Sequence, residues 1–151
     1  MINIQNYING DFKSSINNQT INDLNPATGE LIATIPKSDF NDIQLAVEAA
    51  ENAFPSWSKL TLNERAKWLM EIADELENRF DEIAKLESRD TGKPISLAKK
   101  VDANRSVNNF RFFANLVDGI ENSKFGMDDA MNTVIRKPVG IAGLITPWNL
   151  P

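Results

Sequence analysis

Apolar and polar residues change their spacing twice along the chain, and the three stretches so divided each hold a group of elements. Over the first 36 residues apolar positions alternate with polar ones or form short runs, which reads as β-structure. Tyr7-Ile8-Asn9-Gly10-Asp11-Phe12 sets Asn-Gly between β-forming residues and predicts a tight hairpin. Residues 20–24 alternate, Asn25-Pro26-Ala27-Thr28-Gly29-Glu30 supplies a turn, and residues 31–35 form a strand stopped by Pro36. From residue 40 the period becomes helical. Ser38 or Asp39 serves as N-cap, Ile43, Val47, Ala50 and Phe54 share one face, and Pro55-Ser56-Trp57 is predicted to end the helix near residue 54. Thr61 and Glu64 fit a capping box. They open a pattern that runs to about residue 89, with a break expected at Asn78-Arg79. In Asp90-Thr91-Gly92-Lys93-Pro94, Gly92 suits a left-handed helix end and Pro94 a restart. The helix that follows is predicted to run to about residue 117, with Leu97, Val101, Val107, Phe110, Ala114 and Val117 facing a core, and Gly119 ends it.

The second change returns to β-spacing. Residues 120–131 read as a loop, residues 132–138 as a strand, and residues 141–145 as a short buried strand. Pro147-Trp148-Asn149-Leu150-Pro151 then cannot extend the strand, because each proline removes a donor and fixes φ. The order β, three long helices, β predicts an α/β fold in one domain over residues 1–151. The long helices need more sheet than these strands provide, so the domain is expected to be incomplete and to continue past Pro151.

Composition narrows the chemistry. With 42% hydrophobic and 25% charged residues, 151 residues are enough for a core that removes roughly 70% of the unfolded surface from water. The net charge of -5 disfavours nucleic acid and anionic membranes as partners. No run approaches the ~20 apolar residues of a membrane span, and the N-terminus has no signal-like pattern, so a cytoplasmic location is expected. There is neither cysteine nor histidine. Thiolate nucleophiles, disulfides and the usual general base are therefore absent from these residues.

Four candidate sites remain. Asn149, stiffened by prolines after a strand, presents an amide NH2 suited to a developing oxyanion; the competing reading is a surface turn with a packed Trp. Asp90-Thr91-Gly92-Lys93-Pro94 has a Gly-containing turn but lacks the P-loop pattern, so a helix stop and restart is the simpler reading. Arg105 and Arg111 lie among amides and aromatics, where a buried arginine can grip a carboxylate bidentately; the simpler reading is that such residues are solvated or pair with acids such as Asp102. Glu75, Glu77, Asp81, Glu82 and Glu87 read as a solvated helix face.

Taken in order, Tyr7-Ile8-Asn9-Gly10, Asn25-Pro26-Ala27-Thr28-Gly29-Glu30, Ala53-Phe54-Pro55-Ser56-Trp57, Glu64-Arg65, Asp90-Thr91-Gly92-Lys93-Pro94, Pro138-Val139-Gly140 and Pro147-Trp148-Asn149-Leu150-Pro151 resemble the N-terminal part of the NAD(P)-dependent aldehyde dehydrogenases. Asp102, Arg105-Ser106, Asn109-Phe110-Arg111 and Phe113-Ala114 are similar to the aminomuconic and hydroxymuconic semialdehyde members. The resemblance implies oxidation of a small-molecule aldehyde, in this group a carboxylate-bearing semialdehyde, with NAD or NADP as cofactor. It implies that Asn149 is the oxyanion donor, that Ile145, Thr146, Pro147 and Trp148 line the cofactor site, that Arg105 holds a substrate carboxylate, and that the Leu24 backbone with Asp90 forms a monovalent-cation site. Residues 132–138 would begin an oligomerisation arm whose pairing strand lies outside this chain, residues 141–145 the Rossmann-like cofactor domain, and the whole protein would be a homo-oligomer, dimer or tetramer. In the family the catalytic cysteine, the general-base glutamate, the cofactor-phosphate lysine and the Gly-rich turn lie further along the sequence. The 151-residue chain alone is thus expected to be inactive. The alternative is a non-catalytic helical module that binds a partner or dimerises through an uncovered apolar face.

Overall fold

The computed structural model describes residues 2–120 and 123–146. A three-stranded sheet is formed by β1 (Ile2–Asn3), β5 (Leu31–Pro36) and β4 (Thr20–Leu24), in that order. β1 runs parallel and β4 antiparallel to β5, and the β4–β5 register shifts at Asp23/Leu24. Such an irregularity re-aims the strand end. The predicted hairpin is β2 (Asn6–Ile8) with β3 (Asp11–Lys13). Asn9 and Gly10 take φ of 55° and 86°, the pair of left-handed residues that a type I′ turn needs. Tyr7 and Phe12 face each other with ring centroids 5.0 Å apart.

Helix α1 spans Phe40–Trp57. Its N-terminus is closed twice: Asp39 accepts from the Asn41 amide, and Asp42 Oδ2 accepts from the Asp39 amide at 2.9 Å. Asp42 is only 4% exposed, and its Oδ1 also accepts from the Ile16 amide at 2.9 Å, which ties the loop after the hairpin to the helix. The helix does not stop at Pro55 as the sequence suggests. A proline in the last turn removes one hydrogen bond, and the Ser58 amide still donates to the Phe54 carbonyl at 2.8 Å.

Helix α2 (Leu62–Asn78) carries the Thr61/Glu64 capping box, and Arg79 (φ -101°, ψ 17°) breaks it from α3 (Phe80–Thr91) where a break is predicted. The third predicted helix is in fact four pieces: one turn of α4 (Ile95–Leu97), a π-helix (Ala98–Ala103), α5 (Asn104–Asn115) and a 3-10 turn (Leu116–Gly119). There are thus four helices of 12 or more residues among the described ones, not three. Leu97, predicted to face the core, is exposed, because the π-segment turns the buried face onto Ala98 and Ala103.

The core is built from small residues. Ala84 of α3 meets Ala98 and Ala103, with Phe80 and Ile83 packed around them. Ala73 of α2 and Val107 and Ala114 of α5 are also buried. Small side chains let helix axes approach closely. Arg111 fastens α5 to α2, with Nη2 2.6 Å from Glu77 Oε2 and 3.0 Å from Asp74 Oδ1.

The end of the described chain departs most from expectation. Residues 120–131 are not all loop: β6 (Lys124–Gly126) pairs antiparallel with β7 (Met131–Thr133). The strand expected over 132–138 stops at Thr133. Residues 141–145, expected as a buried strand of the cofactor domain, form no strand, and Leu144 and Ile145 are 86% and 99% exposed. A β-strand needs a neighbour to take its backbone hydrogen bonds, and no described strand pairs with this one.

Candidate functional site

Two turns remote in sequence meet at the end of α3. Asn25 Oδ1 accepts from the Ala27 amide, and the Gly29 amide donates to the Asn25 carbonyl, so residues 25–30 form a compact turn. Against it lies Gly92, left-handed at φ 72°, and a β-carbon there would stand 2.9 Å from Pro26 Cγ. Glycine is required here both for the backbone and for the approach. This contact brings the end of α3 to the irregular end of β4.

The docking places Asp90 beside Asp23, next to Leu24. Exclusion of water and the neighbouring Asp23 charge, with a smaller contribution from Glu87, hold the Asp90 carboxyl above the usual carboxylate range. Both line a groove of about 480 Å³ with Ile2, Ile4, Ile83 and Glu87. Two carboxylates beside a displaced backbone turn suit a hard cation with oxygen ligands. Among the described residues no group of three or more His, Cys, Asp or Glu is arranged for a metal ion. Asp23 escaped the sequence reading, although its place next to Leu24 was a usable signal.

The two arginines separate clearly. Arg111 is engaged: Glu77 and then Asp74 hydrogen-bond it and hold its guanidinium charged. Glu77 is lowered in return by that partner. Arg105, on the first turn of α5, is exposed and has no hydrogen bond or ion pair to another described residue. Asp102, which sequence put within reach of either arginine, is taken by Lys93, whose Nζ is 2.9 Å from Asp102 Oδ2 and 2.7 Å from Glu87 Oε1. Glu87 is therefore not part of a solvated face. Lys93, absent from the predicted site residues, carries no sequence signal beyond its motif.

Ile145 and Thr146 lie exposed in the extended 141–146 segment and are not brought against Arg105 or the Asp90 groove by any hydrogen bond between described residues. Pro147, Trp148 and Asn149 lie outside the described residues. No helix of the described residues is long and apolar enough to cross a membrane.

Comparison with known proteins fits this arrangement to a family. Residues 12–151 match the aldehyde dehydrogenase family. The mouse (Mus musculus) 2-aminomuconic semialdehyde dehydrogenase is 44% identical over all of this chain and 31% of its own length. The 2-hydroxymuconic semialdehyde dehydrogenase of Pseudomonas sp. is 40% identical over all of this chain and 32% of its own. Crystal structures of PnpE are similar in fold. PnpE from Pseudomonas sp. superposes with TM-score 0.92 at 41% identity, over 100% of this chain and 31% of PnpE. PnpE in complex with nicotinamide adenine dinucleotide superposes with TM-score 0.82 at 38% identity, over 86% and 27%. The chain spans about a third of the length of the relatives it matches. With the family matched over nearly every residue and the fold reproduced, the chain belongs to the aldehyde dehydrogenase family.

Proposed function

We propose that residues 1–151 are the N-terminal portion of an NAD-dependent dehydrogenase that oxidises a carboxylate-bearing semialdehyde to the acid. The observation that carries this reading is Arg105: an exposed guanidinium with no ion pair to a described residue, in a chain 44% identical to a 2-aminomuconic semialdehyde dehydrogenase. A planar, permanently charged fork left unpaired suits bidentate capture of a carboxylate. In this reading Asn149 donates its side-chain amide to the oxyanion formed when a thiolate adds to the aldehyde carbon, and Ile145, Thr146, Pro147 and Trp148 wall the cofactor. NAD, when bound, supplies the hydride acceptor. Residues 1–151 contain no cysteine, so they supply the donor and the carboxylate grip but not the nucleophile. Leu24 and Asp90, joined by Asp23, hold a monovalent cation. The β6–β7 hairpin opens an arm through which copies of the whole protein associate, and its exposed edge is suited to pairing with another strand.

The test joins this chain in frame to the remaining two thirds of the mouse 2-aminomuconic semialdehyde dehydrogenase. NADH formation from glutaric semialdehyde and from uncharged pentanal is followed with each protein. The 151-residue chain alone is expected to show no turnover, and the fusion to oxidise both aldehydes. In the fusion, Asn149→Ala is expected to lower kcat about 10²–10³-fold, and Arg105→Ala to raise KM for the semialdehyde only. Unchanged kcat in Asn149→Ala, or equal effects of Arg105→Ala on both aldehydes, would overturn the assignments.

A further inference from the structure

The π-helix at Ala98–Ala103 sits immediately before Arg105 and is locked in place by charged side chains the reaction does not use. On an α-helix, residues five apart point about 140° away from each other. Here Ala98 and Ala103 are both buried against Ala84. The i→i+5 hydrogen bonding of a π-turn is what brings them to one face. A wide turn of this kind is less well bonded than α-helix and persists where its surroundings hold it. Lys93 is the holder. Its ammonium joins Glu87, at the end of α3, to Asp102, inside the π-turn, and all three side chains are mostly buried, at 18%, 12% and 8% exposure. The backbone around the clamp is also tied: Ser88 Oγ donates to the Lys93 carbonyl at 2.7 Å, and Ser106 Oγ to the Asp102 carbonyl at 2.9 Å. The far end of α5 is fixed independently by Arg111 on Asp74 and Glu77. Any change in the π-turn must therefore be absorbed in the first turn of α5, where Arg105 stands.

We infer that Lys93 is a positioning residue for substrate selection: by bridging Glu87 and Asp102 it holds the π-turn that sets the direction in which Arg105 leaves α5. Without the ammonium, two mostly buried carboxylates face one another uncompensated. Asp102 then turns toward water, the π-turn relaxes toward α-geometry, and Arg105 swings off the line it holds. The inference rests on the proposal that Arg105 grips the substrate carboxylate, and it names the device that aims the grip.

The test uses the same fusion protein, with glutaric semialdehyde and pentanal as paired probes. Lys93→Met is expected to raise KM for glutaric semialdehyde roughly ten- to a hundred-fold, the loss typical of a misplaced binding group, while kcat for both aldehydes and KM for pentanal stay near the parent values. Retained pentanal oxidation is also the check that the variant folds. Lys93→Arg, which keeps the cation, is expected to recover most of the semialdehyde KM. Adding Lys93→Met to Arg105→Ala is expected to change nothing further, because both act through one contact. If Arg105→Ala raises the semialdehyde KM and Lys93→Met does not, the positioning role is wrong and the Arg105 assignment stands. If Lys93→Met lowers turnover of both aldehydes alike, and Lys93→Arg does the same, Lys93 is only structural and the inference fails. If Arg105→Ala leaves the semialdehyde KM unchanged, the underlying assignment fails and the inference with it.

Discussion

Replacing Gly92 by alanine tests whether the two turns are docked as tightly as they look. The substitution has two separable costs. A non-glycine residue held at φ 72° gives up about 1–2 kcal/mol to left-handed backbone strain. The new methyl would also stand 2.9 Å from Pro26 Cγ and 3.4 Å from the Ala27 nitrogen. A proline ring cannot rotate aside, so overpacking adds about 1–3 kcal/mol. The sum is about 2–5 kcal/mol, which for a chain of this size lowers Tm by roughly 5–15 °C. Gly29 is the internal control: its φ is 73° but no atom lies within 4 Å of an added β-carbon. Gly29→Ala should therefore lose only the backbone part, about 1–2 kcal/mol. Thermal and urea unfolding of the two variants, followed by circular dichroism, measure the difference. Pro26→Ala in the Gly92→Ala background should restore part of the loss, because the contact being relieved is that ring. Equal destabilisation by Gly92→Ala and Gly29→Ala, with no rescue by Pro26→Ala, would refute a rigid contact between the turns.

Three further outcomes follow from the same geometry. Asp42→Ala strands the Ile16 and Asp39 amides at a mostly buried position, for a loss of about 2–5 kcal/mol in denaturant unfolding; Asp42→Asn, which keeps one acceptor, should cost less. Asp90 is held above its ordinary range, so the folded chain binds its proton more tightly than the unfolded chain does. Its contribution is favourable below the unfolded carboxylate range, near about pH 4, and is lost as pH rises through the folded value. Wild type should therefore lose more stability than Asp90→Asn on going from acid to neutral pH, and potassium chloride in place of tetramethylammonium chloride should raise the neutral Tm of wild type more than that of the variant. Glu77 is lowered by Arg111, the opposite sign: its stabilisation is present above the ordinary range and lost as pH falls, so Glu77→Gln should weaken the chain slightly at neutral pH, by an amount that high salt removes.

What sequence conveyed and what it withheld divides by the range of the interaction. Asn9-Gly10, the Thr61/Glu64 box and Gly92 were readable because each acts within a few residues of itself. Asp42 is a partial case, since a capping partner three residues after Asp39 is a local sign, whereas its bond to Ile16 spans 26 residues. The π-turn was not readable: Ala98 and Ala103 share a face only because Ala84, on another helix, needs both. Periodicity alone therefore put Leu97 in the core, where the structure leaves it exposed. Residues 141–145 failed for the complementary reason. Their apolar run has the composition of a buried strand, and composition says nothing about which strand will pair with it. Of the candidate site, Arg105, Leu24 and Asp90 take their roles from the resemblance, while the groups that hold them in place, Lys93, Glu87, Asp23 and Pro26, are given no role by it.

Asp90-Thr91-Gly92-Lys93-Pro94 looked in sequence like the least chemical of the candidates, a helix stop and restart. That reading is correct for the backbone and misses what the side chains join. Asp90 meets Asp23 at the end of β4. Thr91 Oγ1 donates to the Glu87 carbonyl at 2.7 Å and closes the last turn of α3. Gly92 admits Pro26 from the turn after β4. Lys93 reaches back to Glu87 and forward to Asp102. Pro94 caps the single turn that leads into the π-helix. Four of the five residues thus engage a different part of the chain or the end of α3, and the cation groove and the Arg105 helix are both positioned from this one turn. A perturbation here should move the two together: in the fusion protein, Gly92→Ala should weaken the potassium effect on Tm and raise the semialdehyde KM, whereas Asp90→Asn should touch only the first. Loss of both effects in Asp90→Asn would mean that the groove itself, not the turn, aims Arg105.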